Sequence, residues 1–278
     1  MKNKSLKSLM ILLCASLNFT AVMAQGAYFT LGAGYNLPTS TQTLDALSFS
    51  DEIMTENTTT YKQNYVSLGK GLSVGGAFGY KFNENIGAEL GISYLMGSTW
   101  ESKMAYSDFA TSMTSTDEIS SKMTRINPQF VISMEANKLT PYAKVGLLLG
   151  MGSMSLNSKV EYLDGVVEQT TIFNGGVATG FTTTIGASYA INDKISLFGD
   201  LNMVNMSYSP TKGIMTKYAE NGVDLLSLMD PIDKEIQFVD TYVEDDNIQP
   251  SITEPSKALK IKFPFSSVGV HIGVKYTL

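Results

Sequence analysis

Several residue types that commonly carry chemistry are scarce in this chain. Its 278 residues include one cysteine, Cys14, one histidine, His271, and one tryptophan, Trp100. Beyond residue 24 no apolar run approaches the roughly 20 residues that a transmembrane helix needs. The formal net charge is −6, which disfavours nucleic acid as a partner. Because the only cysteine lies near the N-terminus, we expect neither disulfides nor thiol chemistry in the rest of the chain.

The N-terminus has the pattern of a secretory signal peptide. Three lysines precede a short apolar stretch that starts at residues 9–13, and Val22-Met23-Ala24 is a suitable cleavage site. A transmembrane helix is the alternative, but the apolar stretch is too short for it. We therefore predict a signal peptide over 1–24 and one large β domain over 25–278. Cleavage would change the net charge from −6 to −9, since it removes three lysines and no acid.

The last eleven residues alternate strictly between apolar and small or polar side chains. This two-residue period places one continuous apolar face on a strand over 268–278. Seven further segments alternate in the same way over about ten residues each, near 29–37, 72–82, 86–94, 125–134, 142–151, 181–189 and 195–203. Ten residues is the length that a tilted strand needs to cross a bilayer.

The connections between these segments alternate in length. Three are short and rich in Asn and Asp, namely 83–85, 135–140 and 191–194. Four are long, at about 38–71, 97–122, 153–176 and 209–264. The pattern predicts an all-β fold, an eight-stranded antiparallel transmembrane up-and-down β-barrel with four long extracellular loops. A soluble sandwich or lipocalin-like barrel is the alternative, but the second face is too rich in glycine and too poor in charge for an outer surface.

These features together resemble the small, porin-like outer-membrane β-barrel proteins of the OmpA/OmpW type. In that family the closing strand ends in alternating apolar residues and a terminal aromatic, which the insertion machinery reads. The matching residues here are Val270, Ile272, Val274 and Tyr276, with Leu278 in place of the usual Phe. The resemblance implies a monomer in the outer membrane of a Gram-negative bacterium. Its implied partners are outer-membrane lipid, lipopolysaccharide and the insertion machinery.

Charged residues fall on the inward face of the predicted strands: Glu89, Arg125, Lys144, Asp200 and Lys275. Buried charges require partners. We therefore predict an interior ion network in which one or more of the three cations bridge the two carboxylates. Such a network can be a structural plug or a rearrangeable gate for small solutes, and the structural interpretation is the more economical one.

Pro128 lies in the middle of a predicted strand although it has no N–H group to donate. It indicates either a β-bulge or a defect in the barrel wall. The resemblance gives the second interpretation a function, because OmpW-like barrels are thought to pass small apolar molecules sideways through the wall.

The last long connection is acidic, with nine acids and one lysine between Glu220 and Asp246. Residues 244–247 could ligate calcium, but they lack the glycine and the spacing of an EF-hand loop, so a solvated loop is the simpler interpretation. We expect no metal and no cofactor.

Catalysis is not expected, since small barrel enzymes need a histidine base or paired acids. His271 is alone, and Gly273 stands where a lipid deacylase would have serine. The sequence leaves two functions open. One is a cell-surface structural or interaction protein that contacts an extracellular ligand through its loops, and the other is a narrow channel or carrier for small, apolar solutes.

Overall fold

The computed structural model describes residues 26–44, 47, 49–107, 112–134, 136–243 and 250–278. The predicted signal peptide, Cys14, Glu135 and the acidic segment 244–247 lie outside these ranges. Within them the chain is all-β, and its named helical elements are the 3-10 turn Leu226–Leu228 and the α-helix Pro231–Lys234. None of the helices in the described ranges is long and apolar enough to span a membrane.

The strands follow one another along the chain with few long interruptions. They are β1 (Ala27–Pro38), β2 (Ser50–Met54), β3 (Thr59–Gln63), β4 (Gly71–Lys81), β5 (Ile86–Gly97), β6 (Trp100–Ser107), β7 (Ser112–Ser133), β8 (Leu139–Tyr162), β9 (Gly165–Asn174), β10 (Ala178–Ala190), β11 (Ile195–Tyr208), β12 (Lys212–Glu220), β13 (Val223–Asp224), β14 (Glu235–Val239), β15 (Ser256–Leu259), β16 (Phe263–Pro264) and β17 (Ser267–Thr277).

Antiparallel pairing closes part of this sheet into a β-barrel-like ring. Going around the ring, the pairs are β1–β4, β4–β5, β5–β7, β7–β8, β8–β10, β10–β11 and β11–β17. The closing pair is β17–β1, which runs from Tyr28 opposite Thr277 to Pro38 opposite Ser267. Because each of these strands has a neighbour on both sides, the ring leaves no open sheet edge.

Tight turns close one end of the ring. They link β4 to β5, β7 to β8 and β10 to β11, where the sequence predicted short connections. The side-chain oxygen of Asn83 accepts bonds from the backbone N–H groups two and three residues on, at 2.9 and 2.8 Å. Asn192 does the same at 3.0 and 2.9 Å. These asparagines replace backbone partners that a tight turn cannot supply.

The outer face of the ring is apolar and uncovered. Leu90, Leu147 and Leu201, on three different strands, are 58%, 67% and 50% exposed. Exposed apolar side chains continue around the ring on the remaining strands, among them Leu31, Phe78, Phe130, Ile185 and Ile272. In water a continuous apolar band of this kind would promote aggregation, whereas a barrel in a lipid bilayer needs such a band.

At the other end of the ring the sheet continues beyond the barrel. β7 and β8 are 22 and 24 residues long, and their pairing continues from Ser133 opposite Tyr142 to Met113 opposite Tyr162. β6 and β9 flank this hairpin, and β12 pairs with β9. The predicted long connections are therefore largely strand. Sequence periodicity missed these strands because neither of their faces is uniformly apolar.

A buried apolar cluster fills the mouth of the ring at this extended end. Leu95, Met123 and Leu148 enter it from ring strands, and Phe263 and Phe265 enter it from the connection before β17. Further members are Leu44, Phe49, Val66, Leu68, Ile119, Met154, Phe173, Ala178, Val204, Met206, Tyr208 and Phe238. We call this set the mouth cluster. It packs like the core of a soluble domain, although it lies on the axis of a barrel.

If lipid covers the outer face, Arg at position 90, 147 or 201 should lower the free energy of unfolding in vesicles by about 2–4 kcal/mol, as expected near the bilayer midplane. Leu163 is a matched control, because it is as exposed as Leu147 but lies at the far tip of the β8–β9 hairpin. Leu163→Arg should stay within about 0.5 kcal/mol. Equal losses at 147 and 163, measured by urea titration, would contradict a lipid-facing ring.

Candidate functional site

A buried ion pair crosses the interior near the end that carries the tight turns. Lys144 Nζ on β8 lies 2.7 and 3.0 Å from the two carboxylate oxygens of Glu89 on β5. Their side chains are 12% and 3% exposed. The hydroxyl of Tyr28 on β1 donates a third hydrogen bond to the same carboxylate at 2.8 Å. The pair therefore ties together strands that are not neighbours in the ring.

A second polar chain is centred on Asp200 of β11. Tyr142 donates its hydroxyl to Asp200 Oδ2 at 2.8 Å, and His271 Nδ1 lies 3.3 Å from Asp200 Oδ1. On the other side of the imidazole, Nε2 lies 3.0 Å from Ser73 Oγ. With Nδ1–H facing Asp200, Nε2 accepts from Ser73. The serine beside His271 thus comes from β4, whereas residue 273 of β17, where a lipid deacylase would have serine, is glycine.

A missing side chain on the neighbouring strand makes room for the imidazole. Gly34 of β1 lies directly opposite His271. A Cβ at residue 34 would come within 1.9 Å of the His271 Cδ2 atom and 2.4 Å of the Val270 carbonyl oxygen. Any larger residue at 34 would therefore push the ring out of line with Asp200.

Cation–π contacts bring two of the predicted cations close to the tyrosines. Lys144 Nζ lies 4.8 Å from the ring centre of Tyr142, which joins the Glu89 pair to the Asp200 chain. Lys275 Nζ lies 4.0 Å from the ring centre of Tyr28. Contacts at this range are favourable, and more so where water is excluded.

Arg125 stands apart from both groups. It is 4% exposed, and its Nε and Nη2 have no hydrogen-bond partner among the described residues. The structure therefore brings Glu89 and Lys144 together, places Lys275 beside Tyr28, and leaves Asp200 with His271 and Tyr142. Within the described part of the chain, no carboxylate forms an ion pair with Arg125.

Two cavities lie within this layer of the ring. The larger, of about 130 Å3, is lined by Arg125, Asp200 and His271 among others. The smaller, of about 30 Å3, is lined by Tyr28, Glu89 and Lys275. Lys144 contributes to the walls of both. No group of three or more His, Cys, Asp or Glu that could hold a metal occurs in the described ranges.

Pro128 interrupts the β7–β8 ladder without shifting it. Ile126 lies opposite Leu149 and Gln129 lies opposite Gly146, so the same register holds on both sides, while the two residues between have no partner in this ladder. A bulge would have added a residue to one strand. The interpretation of Pro128 as a bulge is therefore wrong. What remains is a two-residue gap in hydrogen bonding, caused by the missing N–H.

The closing strand has its expected placement in the ring. Val270, Ile272, Val274 and Tyr276 all point outward and are exposed. After the last strand residue, the N–H of Leu278 donates to the carbonyl of Ala27 at 3.1 Å. The alternating apolar face is thus available to lipid along its whole length.

Sequence reasoning named the charges but missed their uncharged partners. Tyr142 and Ser73 both lie on the inward face by simple alternation, so strand phase could have found them. Tyr142 meets Asp200 across Gly186 of β10, and Ser73 meets His271 across Gly34 of β1, so these partners depend on strand order and register. The mouth cluster was missed because half of its members come from connections rather than from alternating segments.

A closed ring that is apolar outside and polar inside defines a membrane β-barrel. The chain belongs to the outer membrane protein beta-barrel domain family, whose model matches residues 10–225. The prediction of an outer-membrane barrel is confirmed, and the protein is located in the bacterial outer membrane.

Two solved structures are similar to the chain. One is Neisserial surface protein A, with 11% identity, a TM-score of 0.38, and coverage of 91% of this chain and 97% of that chain. The other is CarO2 of Acinetobacter baumannii, with 13% identity, a TM-score of 0.30, and coverage of 90% and 99%. No curated protein shows significant sequence similarity to this chain.

The Glu89–Lys144 pair can be tested with a double-mutant cycle. Lys144→Met leaves a buried carboxylate with one tyrosine partner, and should lower the free energy of unfolding by about 3–5 kcal/mol. Adding Glu89→Gln should restore part of the loss, because the carboxylate left without its lysine is then replaced by a neutral amide. Lys217→Met is the control: it breaks a solvent-screened pair with Glu168 and should change stability far less. Additive effects of the two interior changes in urea titrations would contradict a direct pairing.

Proposed function

We propose that the protein is an eight-stranded transmembrane barrel, closed along its axis, that serves as a structural or interaction protein of the cell surface. In this proposal the ring strands β1, β4, β5, β7, β8, β10, β11 and β17 cross the membrane. The tight turns face the periplasm and the extended end faces outward, as is usual for such barrels.

The mouth cluster is the observation that carries the proposal. Tyr208, Phe263 and Phe265 are fully buried on the barrel axis, and the hydroxyl of Tyr208 is held by the carbonyl oxygens of Gly152 and Gly175 at 2.9 and 2.6 Å. Moving this cluster aside would expose the whole apolar core to water, which opposes opening. Hydrated solutes therefore have no favourable path through the outer mouth.

A second barrier lies below the cluster. The Glu89–Lys144 pair and its tyrosines occupy the opposite half of the interior. The cavities of about 130 and 30 Å3 between the side chains are small beside the about 300–1,000 Å3 of pockets that hold drug-sized ligands. This arrangement favours the structural plug over the rearrangeable gate.

The extended end supplies the proposed contact surface. β7, β8, β9 and β12 form one continuous sheet there, with exposed ion pairs such as Lys217 Nζ to Glu168 Oε2 at 2.7 Å. The hydrogen bond from Lys217 lowers the pKa of the Glu168 carboxyl. Exposed apolar residues, among them Leu228 and Val243, occur in the acidic last connection. A polar sheet with scattered apolar side chains suits a protein ligand.

The proposed partners of the ring itself are lipids. Outer-membrane lipid and lipopolysaccharide would cover the outer apolar face, and the insertion machinery would read the closing strand. A monomer suffices, because the ring satisfies its own strand edges.

A second candidate function is a narrow carrier for small apolar solutes. The observation that favours it is the gap at Pro128, because its neighbours Asn127 and Leu148 both line the larger cavity. The cavity thus lies beside the weakest part of the β7–β8 ladder. In this alternative the solute would leave sideways into lipid rather than along the axis.

We assign the Ser73–His271–Asp200 chain a structural role. Hydrolysis also needs donors for an oxyanion next to the serine. β4 pairs with β1 on one side and with β5 on the other over nearly its whole length, so the sheet ladders engage the backbone N–H groups around Ser73. The backbone around Ser73 thus offers no free N–H groups for an oxyanion hole.

Conductance in planar bilayers separates a closed barrel from a channel. The wild-type protein should show no steady single-channel current. A variant that loosens both barriers, with Phe263→Ala, Phe265→Ala, Lys144→Met and Glu89→Gln, should conduct if it still shows heat-modifiable migration on gels. Phe130→Ala on the outer face is the control and should remain silent. Steady currents from the wild-type protein would overturn the closed-barrel proposal, and uptake of an apolar dye into liposomes without current would favour the carrier.

Surface display can be tested by cysteine labelling of intact cells, since the chain has a single native cysteine, in the predicted signal peptide. Leu228→Cys should react with a membrane-impermeant maleimide on intact cells. Glu84→Cys, in an exposed tight turn at the opposite end, should react only after the outer membrane is permeabilised. The reverse pattern would mean that the barrel has the opposite orientation.

A further inference from the structure

Arg125 is the only arginine in the chain, whose 20 basic residues are otherwise lysines. It lies in the barrel interior, with 4% of its surface exposed. Its two unpartnered atoms, Nε and Nη2, lie on the same edge of the planar guanidinium group. Their N–H bonds are therefore parallel, and they form the fork that matches two oxygens of one anion.

The other interior charges are already paired. Glu89 accepts bonds from Lys144 and Tyr28, and Asp200 accepts from Tyr142 and faces His271. Within the described chain, no carboxylate contacts Arg125. Burying an unpaired charge is strongly unfavourable, so a buried guanidinium normally has an anionic partner. Since the described residues supply none, we infer that the partner is a separate molecule.

The larger cavity provides the space beside this side chain. Its walls include Arg125, Asn127, Ser93 and Gln129, together with Asp200 and His271 across the interior. Its volume of about 130 Å3 is well above the about 10–15 Å3 that one water needs, and well below that of a drug-sized pocket. It thus has room for one small ion and a few waters.

We propose that the cavity binds a small oxyanion, a carboxylate or an inorganic phosphate, through the Nε–Nη2 edge of Arg125. The amide side chain of Asn127 adds a donor beside the guanidinium, and Asp200 on the far wall disfavours large or multiply charged anions. The anion completes the interior electrostatics, so that each charge in the described barrel interior has a partner. This interior site is separate from the proposed contact surface at the extended end. Its presence therefore does not depend on the proposed function.

The use of arginine at this position supports the assignment. Lysine supplies a compact charge with rotatable donors, whereas arginine alone presents a rigid planar fork. Lysine meets the need for a cation at Glu89, where one ammonium reaches both carboxylate oxygens. If residue 125 needed only a positive charge, lysine would serve there as it does at residue 144.

The single arginine makes the test direct. Protein labelled with 15N-arginine and refolded in an uncharged detergent should give one guanidinium Nε resonance. Sodium acetate and sodium phosphate, added separately at constant ionic strength against sodium chloride, should shift this resonance saturably, and the more effective anion identifies the class. Absence of a saturable shift with either anion, or an identical response to chloride alone, would overturn the proposal.

Variants provide a second measurement. In wild-type protein the effective anion should raise the thermal unfolding midpoint. Arg125→Met should abolish this increase, and Arg125→Lys should weaken apparent binding by about tenfold or more, because the bidentate fork is lost. Lys122→Met is the matched control: it removes a cation from the same strand at an exposed position and should keep the full increase. If Arg125→Met keeps it too, the anion acts elsewhere and the proposal fails; if the variant does not fold, the wild-type resonance decides.

Discussion

Closure of the sheet between β1 and β17 is the constraint on which the rest of this structure depends. In a bilayer an unpaired backbone N–H or C=O group has no water to bond with, so an open edge is too costly. The eleven-residue pairing of these strands removes both edges at once. It also fixes which face of each strand turns inward. Within the closed ring, Tyr28 meets Glu89 across Gly79 of β4, and His271 lies directly opposite Asp200, so both contacts follow from strand register rather than from local sequence.

Polarity changes along the barrel axis in a regular way. On β11 the inward side chains pass from Asp200 to Asn202 and then to Val204 and Met206. The paired charges are thus confined to the half of the interior that carries the tight turns, and apolar side chains fill the mouth at the other end. Asn202 stands at the boundary and donates to the hydroxyl oxygens of Thr182 and Thr184 at 2.8 and 2.7 Å. Along the axis, polar side chains therefore contact polar side chains, and apolar side chains contact apolar ones.

Alternation predicted the ring because lipid imposes a strict two-residue pattern on every strand that it contacts. The same rule explains what could not be predicted. β2, β3, β9 and β12 lie outside the ring and face no uniform solvent, so they leave no periodic signal. The inward phase of Glu89, Lys144 and Asp200 was readable, but their partners were not, since partners depend on how the strands are staggered. That Arg125 has no anionic partner among the described residues could be recognised only once the partners of the other interior charges were known.

The β7–β8 ladder keeps one register on both sides of its gap at Pro128 and so joins the barrel wall to the outer structure. At about 3.3 Å per residue, the 24 residues of β8 span on the order of 80 Å along the strand. Even with a tilt of about 40°, that length exceeds the roughly 30 Å hydrocarbon layer by about as much again. The β8–β9 turn is therefore held at a fixed distance from the membrane by the same ladder that anchors β8 in the barrel wall. A force applied to the tip would be carried into the barrel as shear between two strands, without a hinge to absorb it.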